Sequence, residues 1–109
     1  MIIYEFNTMG AKPGELYSVT PHKLAEKPKS YMGGGMRINK DDIDVLSTSL
    51  GCRMYRLDDN PSPFIIAMME HYEKRVEGYT MRLKQAKATL NKWRTIWEGS
   101  GNEEQYTAL

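Results

Sequence analysis

Three consecutive glycines, Gly33-Gly34-Gly35, lie between Lys29 on one side and Arg37 and Lys40 on the other. Glycines let backbone N–H groups approach a phosphate closely, and flanking cations neutralise its charge. The run lacks the Lys-Ser/Thr of a P-loop and the spacing of a GxGxxG motif, so a flexible hairpin bend is the plainer reading. Tyr31 and Tyr55, with Arg37, Arg53 and Arg56, are of the types that stack a base and hold its phosphate, or simply furnish the solvent side of a sheet. Lys29, Tyr31, Gly33, Gly34, Gly35, Arg37, Arg53, Tyr55 and Arg56 therefore form the candidate set for ligand or nucleic-acid contact.

Residue types suited to catalysis or metal binding are present but scattered. His22 and His71 are far apart in sequence, and neither has a nearby Cys or an HxxxH partner, so no metal site is expected. Cys52 opens a strand-like segment and reads as a small core residue rather than a nucleophile. The acidic run Asp41, Asp42 and Asp44 suits a helix start, and Asp58-Asp59-Asn60 suits a turn better than a calcium loop. No catalytic residue and no cofactor is expected, and the chain does not read as an enzyme.

Composition narrows the classes further. A chain of 109 residues forms one modest core, and 40% hydrophobic with 27% charged residues is ordinary for a soluble globular protein. The first six residues alternate like a strand and lack the basic start and long apolar run of a signal peptide. With a single cysteine, no internal disulfide framework can form, and a cytoplasmic setting without membrane contact is the default expectation. The net charge of +1 argues against a dedicated nonspecific nucleic-acid binder while leaving room for a local basic face. Residues 1–40 are mildly basic and residues 41–60 acidic.

The pattern predicts an α+β fold: a small antiparallel sheet with one short helix, packed on a long, coiled-coil-like C-terminal amphipathic helix. Ile2 to Phe6 reads as a strand, followed by a turn through Asn7–Gly14. Glu15–Thr20 is a second strand, stopped by Pro21, and Lys29–Met32 a third, which Met36-Arg37-Ile38 continues after the glycines. Asn39 as cap predicts a short helix through Leu46, closed by Gly51. Cys52–Leu57 is a strand and Asp58–Pro61 a turn. Ser62 as N-cap and Pro63 at the first helical position then open a helix running to about Glu98, roughly 50 Å long. Its first turns, Phe64 to Met69, are apolar on all sides, as suits deep burial on a sheet. One domain over 1–98 is expected (1–60 sheet and short helix, 62–98 long helix), with 99–109 a flexible polar tail.

Within the long helix, Ile65, Met69, Tyr72, Val76, Tyr79, Leu83, Ala86, Leu90, Trp93 and Trp97 alternate by four and three, which places them on one stripe. A strand covers only about 20 Å, so Leu90, Trp93 and Trp97 overhang any sheet this short chain can build. Tyr72, Val76, Tyr79, Leu83, Leu90, Trp93 and Trp97 are accordingly the candidate partner or oligomer interface. Taking Met69, Val76, Leu83, Leu90 and Trp97 as heptad a positions, a parallel homodimer sets Arg82 against Lys87, whereas an antiparallel one sets Glu73 against Arg94. The antiparallel homo-oligomer is favoured, with a heterologous partner as competitor because Tyr and Trp suit half-wet interfaces.

Glu26-Lys27-Pro28-Lys29-Ser30-Tyr31, followed by Arg37-Ile38-Asn39-Lys40-Asp41-Asp42-Ile43, resembles small accessory proteins of phages, prophages and mobile elements over about a third of the chain. That resemblance implies an accessory protein binding and blocking a host protein complex, including defence machinery such as a CRISPR effector. It carries no catalytic residue. The expected function is thus nonenzymatic, stoichiometric inhibition of a host complex. The alternative is a nucleotide or nucleic-acid binding module built on the glycine bend and basic sheet face.

Overall fold

A computed structural model describes residues 1–99. The chain divides into two compact units, residues 1–70 and residues 71 onward. It is an α+β protein with two small antiparallel sheets and one long C-terminal helix.

Strand β1 (Ile2–Asn7) is central to the first sheet, between β2 (Ser18–Lys23) and β6 (Arg53–Arg56). Successive side chains on a strand point to opposite faces, so Ile3 and Phe6 lie on opposite sides of β1, and both are buried. Phe6 packs with Met54 and Phe64, flanked by Tyr4, Tyr17, Leu46, Ala67 and Met68. Ile3 packs with Leu24, Tyr31 and Ile38, flanked by Met36, Ile43 and Tyr55. Both faces of β1 are thus covered, one by the first turns of helix α1 (Ser62–Gly99), the other by the second sheet.

That second sheet comprises β3 (Ala25–Glu26), β4 (Ser30–Gly33) and β5 (Met36–Asn39). Met36-Arg37-Ile38 does not prolong the preceding strand but turns back antiparallel to it, with Gly33 opposite Met36. Gly34 and Gly35 supply the reason, with φ of 57° and 80°: a two-residue hairpin with both φ positive has the twist that joins neighbouring strands.

Three other expectations are corrected. The second strand runs through Pro21, which sits opposite Tyr4, because β2 is an edge strand and a missing N–H on its outer side breaks no ladder bond. The helix expected after Asn39 is a single 3₁₀ turn, Lys40–Asp42, and the Asn39 side chain caps nothing. Downstream residues pair with β6 instead: Ile43 bridges Tyr55, the Asp44 N–H donates to the Tyr55 carbonyl (2.8 Å), and Ser47 exchanges bonds of 2.8 and 2.9 Å with Arg53. Asp44 itself has φ of 63°, incompatible with a right-handed helix. Gly51 takes the expected positive φ but closes no helix.

Helix α1 starts at Ser62, whose N–H is capped by Asn60 Oδ1 at 3.1 Å. Of its apolar first turns only Phe64 is buried; Ile65, Ile66 and Met69 stay largely exposed, since the sheet presents a single face to one side of the helix. The second unit is described over 71–99, all of it helical. The expected tail lies outside the described residues except for Gly99, which belongs to the helix.

Candidate functional site

Tertiary structure disperses the ligand-contact set of the first unit. Arg53 and Arg56 are three residues apart on β6, so the two-residue period sends them to opposite faces. Arg56 stands across from Tyr4 on the helix-facing side and is nearly buried. Its Nη1 donates to Asp44 Oδ1 at 2.8 Å and its Nη2 to Asp58 Oδ1 at 3.0 Å. The hydrogen bond from Arg56 Nη2, together with one from the Asn60 N–H, holds the Asp58 carboxyl below its ordinary value. Arg56 is therefore a structural cation tying the 44 and 58 loops to β6, not part of an open basic face.

Tyr31 is also interior, packed against Ile3, Leu24 and Ile38. Lys40 lies over its ring at 5.4 Å and pairs with Glu26 at 2.9 Å, which lowers the Glu26 carboxyl through that hydrogen bond and the lysine charge. Arg37 is exposed on the outer side of β5, opposite Met32. Lys29 is exposed, and its carbonyl accepts from the Lys40 N–H at 3.0 Å. A Cβ on Gly33 would come within 3.2 Å of Leu24 Cδ2 and of the Lys23 carbonyl, so Gly33 serves close packing, while Gly34 and Gly35 form the hairpin tip.

Arg53 and Tyr55 do come together. The Arg53 guanidinium lies 5.1 Å from the Tyr55 ring centre, and both line a cleft of about 190 Å³ with Asp42, Val45 and Ser47. Burial raises the Tyr55 phenol above its ordinary value, Glu5 adds to this, and Arg53 opposes it. Glu5 is itself engaged, with His22 Nε2 at 2.7 Å and the Asn7 side-chain amide at 2.9 Å. Sequence reasoning missed Asp42, Val45 and Ser47 as neighbours of Arg53, because they arrive through the irregular pairing of residues 43–47 with β6. The Glu5–His22 pair was missed as well; its only signal is the cross-strand register of β1 with β2.

Cys52 is buried, and its N–H donates to Thr8 Oγ1 at 3.0 Å. His71 meets Tyr72 edge-on at 5.3 Å. Among the described residues no group of three or more His, Cys, Asp or Glu side chains converges on a point, and no helix is long and apolar enough to cross a membrane.

The second unit carries the apolar stripe in the open. Val76 is 62% exposed, Leu83 57%, Leu90 46% and Trp93 66%, with Tyr72 and Tyr79 similar. Transfer of a fully exposed side chain of this size out of water is worth about 1.5–3 kcal/mol, so a row of half-exposed ones is a strong incentive to association. Two arginines lie against the tyrosines: Arg75 is 5.5 Å from the Tyr72 ring and 5.9 Å from that of Tyr79, and Arg82 is 5.4 Å from Tyr79. The Arg75 Nη2 donates to the Tyr79 hydroxyl at 3.0 Å and thereby lowers the phenol's pKa. Farther along, Leu90, Trp93, Arg94 and Trp97 frame a notch of about 230 Å³ on the helix.

No protein-family model, curated protein or solved structure matches this chain.

Proposed function

We propose that the protein is a nonenzymatic interaction protein that acts by stoichiometric binding, with the stripe from Tyr72 to Trp97 as its contact surface. The observation that carries this reading is the exposure of Val76, Leu83, Leu90 and Trp93 along one line of a helix. Contiguous apolar patches of this kind mark interaction sites on soluble proteins, and rings with a polar edge are the side chains most used at interface centres. The stripe joins copies of the chain or grips another protein. The likeness of residues 26–43 to phage accessory proteins supplies the target class: a host protein complex in the cytoplasm, a CRISPR effector among them.

Stoichiometry is the test. Titrated into a purified CRISPR effector cleavage reaction, the protein is expected to stop cleavage at about one equivalent, and Leu83→Glu/Leu90→Glu to lose that effect while remaining helical by circular dichroism. Complete inhibition at a small fraction of an equivalent would instead mean catalytic turnover and would overturn the nonenzymatic reading.

The second reading, nucleotide or nucleic-acid binding, is favoured by one observation, the Arg53 guanidinium on the Tyr55 ring beside the cleft. It narrows to Arg53 and Tyr55, since Arg56 and Tyr31 are interior. Calorimetry with ATP and with a short single-stranded oligonucleotide decides it: this reading requires binding that Arg53→Ala abolishes.

A further inference from the structure

In an antiparallel helix pair the a residues of one helix meet d residues of the other, while e meets e and g meets g, because reversing one helix brings like flanks to the same side. For residues 72–97 this geometry restricts the register. When Leu83 is set on Ala86 of a second copy, Tyr79 falls on Leu90, Val76 on Trp93 and Tyr72 on Trp97. Every layer is apolar, and small Ala86 and Val76 stand opposite larger Leu83 and Trp93. On the e flank Glu73 then faces Arg94 and Thr80 faces Lys87; on the g flank Arg75 faces Ile96 and Arg82 faces Thr89. No like charges meet. A shift of one heptad in one direction sets Arg82 against Arg82, and a shift in the other sets Lys87 against Lys87.

Surface shape points to the same register. Leu90, Trp93, Arg94 and Trp97 are spaced i, i+3, i+4 and i+7, the four-residue outline of a hole that accepts a knob from a facing helix, and here they frame an open notch of about 230 Å³. Val76 of the second copy arrives at its centre and Glu73 at its Arg94 edge. The arginines of the g flank already lie on Tyr72 and Tyr79 of their own helix, and the Thr80 hydroxyl donates to its own Val76 carbonyl at 2.9 Å. The two g-flank guanidiniums thus already rest on aromatic rings before a second helix arrives.

We infer that the stripe is covered by a second copy of this chain, antiparallel, with Glu73 of each copy on Arg94 of the other and Val76 of each in the notch of the other. The inference rests on the reading of the stripe as a contact surface and names its occupant.

A charge-swap mixture tests the occupant and the register together. Light scattering on the wild type is expected to give twice the 12.6 kDa chain mass. Glu73→Arg alone sets Arg against Arg94 at both ends, and Arg94→Glu alone sets Glu against Glu73, so each should dimerise about tenfold more weakly. Mixed in equal amounts, the two variants form a heterodimer in which all four residues meet opposite charges, and wild-type affinity should return. The mixture controls for folding, since a misfolded variant cannot be rescued by its counterpart. A wild type that stays monomeric at high concentration overturns the inference, as does a dimer that both swaps leave unchanged. Should the monomer still inhibit a target stoichiometrically, and lose this with Leu83→Glu/Leu90→Glu, the contact-surface reading survives with a heterologous occupant. Failure of both assays removes that reading too.

Discussion

Replacing Phe64 with Ala would remove the only side chain of α1 that is buried. The ring is 2% exposed and lies 5.6 Å from the centre of Phe6, stacked, and 5.4 Å from Tyr17, tilted. Its neighbours Ile65 and Ile66 are both exposed and lie outside the Phe6–Met54–Phe64 cluster, so they cannot take over the contact. Truncation of a fully buried phenylalanine costs about 3–5 kcal/mol, transfer and cavity together, and about 1 kcal/mol of that reflects each well-placed aromatic pair. Small domains hold about 0.05–0.15 kcal/mol per residue, so a loss of this size consumes much of the stability of a unit of 70 residues. In urea, at about 1 kcal/mol per molar for a small domain, the midpoint should fall by about 3 M or the folded baseline should vanish. Tyrosine fluorescence in a Trp93→Phe/Trp97→Phe background, with Tyr72, Tyr79 and Tyr106 also replaced by Phe, follows the first unit through Tyr4, Tyr17, Tyr31 and Tyr55. Ile65→Ala, at a position 41% exposed, is the matched control and should cost less than about 1 kcal/mol. A Phe64→Ala loss as small as that of Ile65→Ala would refute the claim that this ring anchors the start of the helix to the sheet.

Two further outcomes follow from the first unit. The Asp58 carboxyl is held below its ordinary value by Arg56, so its folded form has the lower pKa; the stability it contributes is present above the unfolded value near 3.8 and is lost as pH falls through the lower folded value. Acid unfolding of Arg56→Met should lack this component, so the difference in melting temperature between variant and wild type should shrink on acidification below pH 4; a constant difference would contradict the pairing. Gly34→Val forces a β-branched residue to φ of 57° at the hairpin tip and should cost about 1–2 kcal/mol by thermal melting, with Gly34→Asn far milder.

Much of the first unit's local structure was legible because its determinants are local. Ile2–Asn7 and Arg53–Arg56 are strands rich in β-branched, aromatic and long side chains, and Pro63 with the polar turn before it announces α1. After Asn39 the sequence points the wrong way, because a cap-type residue and helical spacing compete with the open edge of β6, and the edge prevails once Ile43 and Ser47 pair with Tyr55 and Arg53. The strand from Glu15 started late and passed through Pro21 for a similar reason: the β1 partner, not the proline, sets its extent. Of the candidate contact residues, Arg53 and Arg56 are separated onto two faces by their odd spacing, which the sequence itself shows, whereas nothing in the neighbourhood of Tyr31 signals that Leu24 and Ile38 enclose it.

By itself the amino-acid order determined what depends on neighbours within a few residues: the helix from about residue 63 onward, the stripe from Tyr72 to Trp97 with its flanking charges, and the alternation that makes β1 a strand. Tertiary structure alone decided which strand edges residues 43–47 would satisfy, that both faces of β1 would be covered, that Arg56 would turn inward to Asp44 and Asp58, and that Arg53 and Tyr55 would share a cleft with Asp42 and Ser47. Helical periodicity is written in adjacent turns, whereas sheet pairing and burial are settled between residues dozens of positions apart, where backbone hydrogen bonding and exclusion of water choose among locally equivalent alternatives.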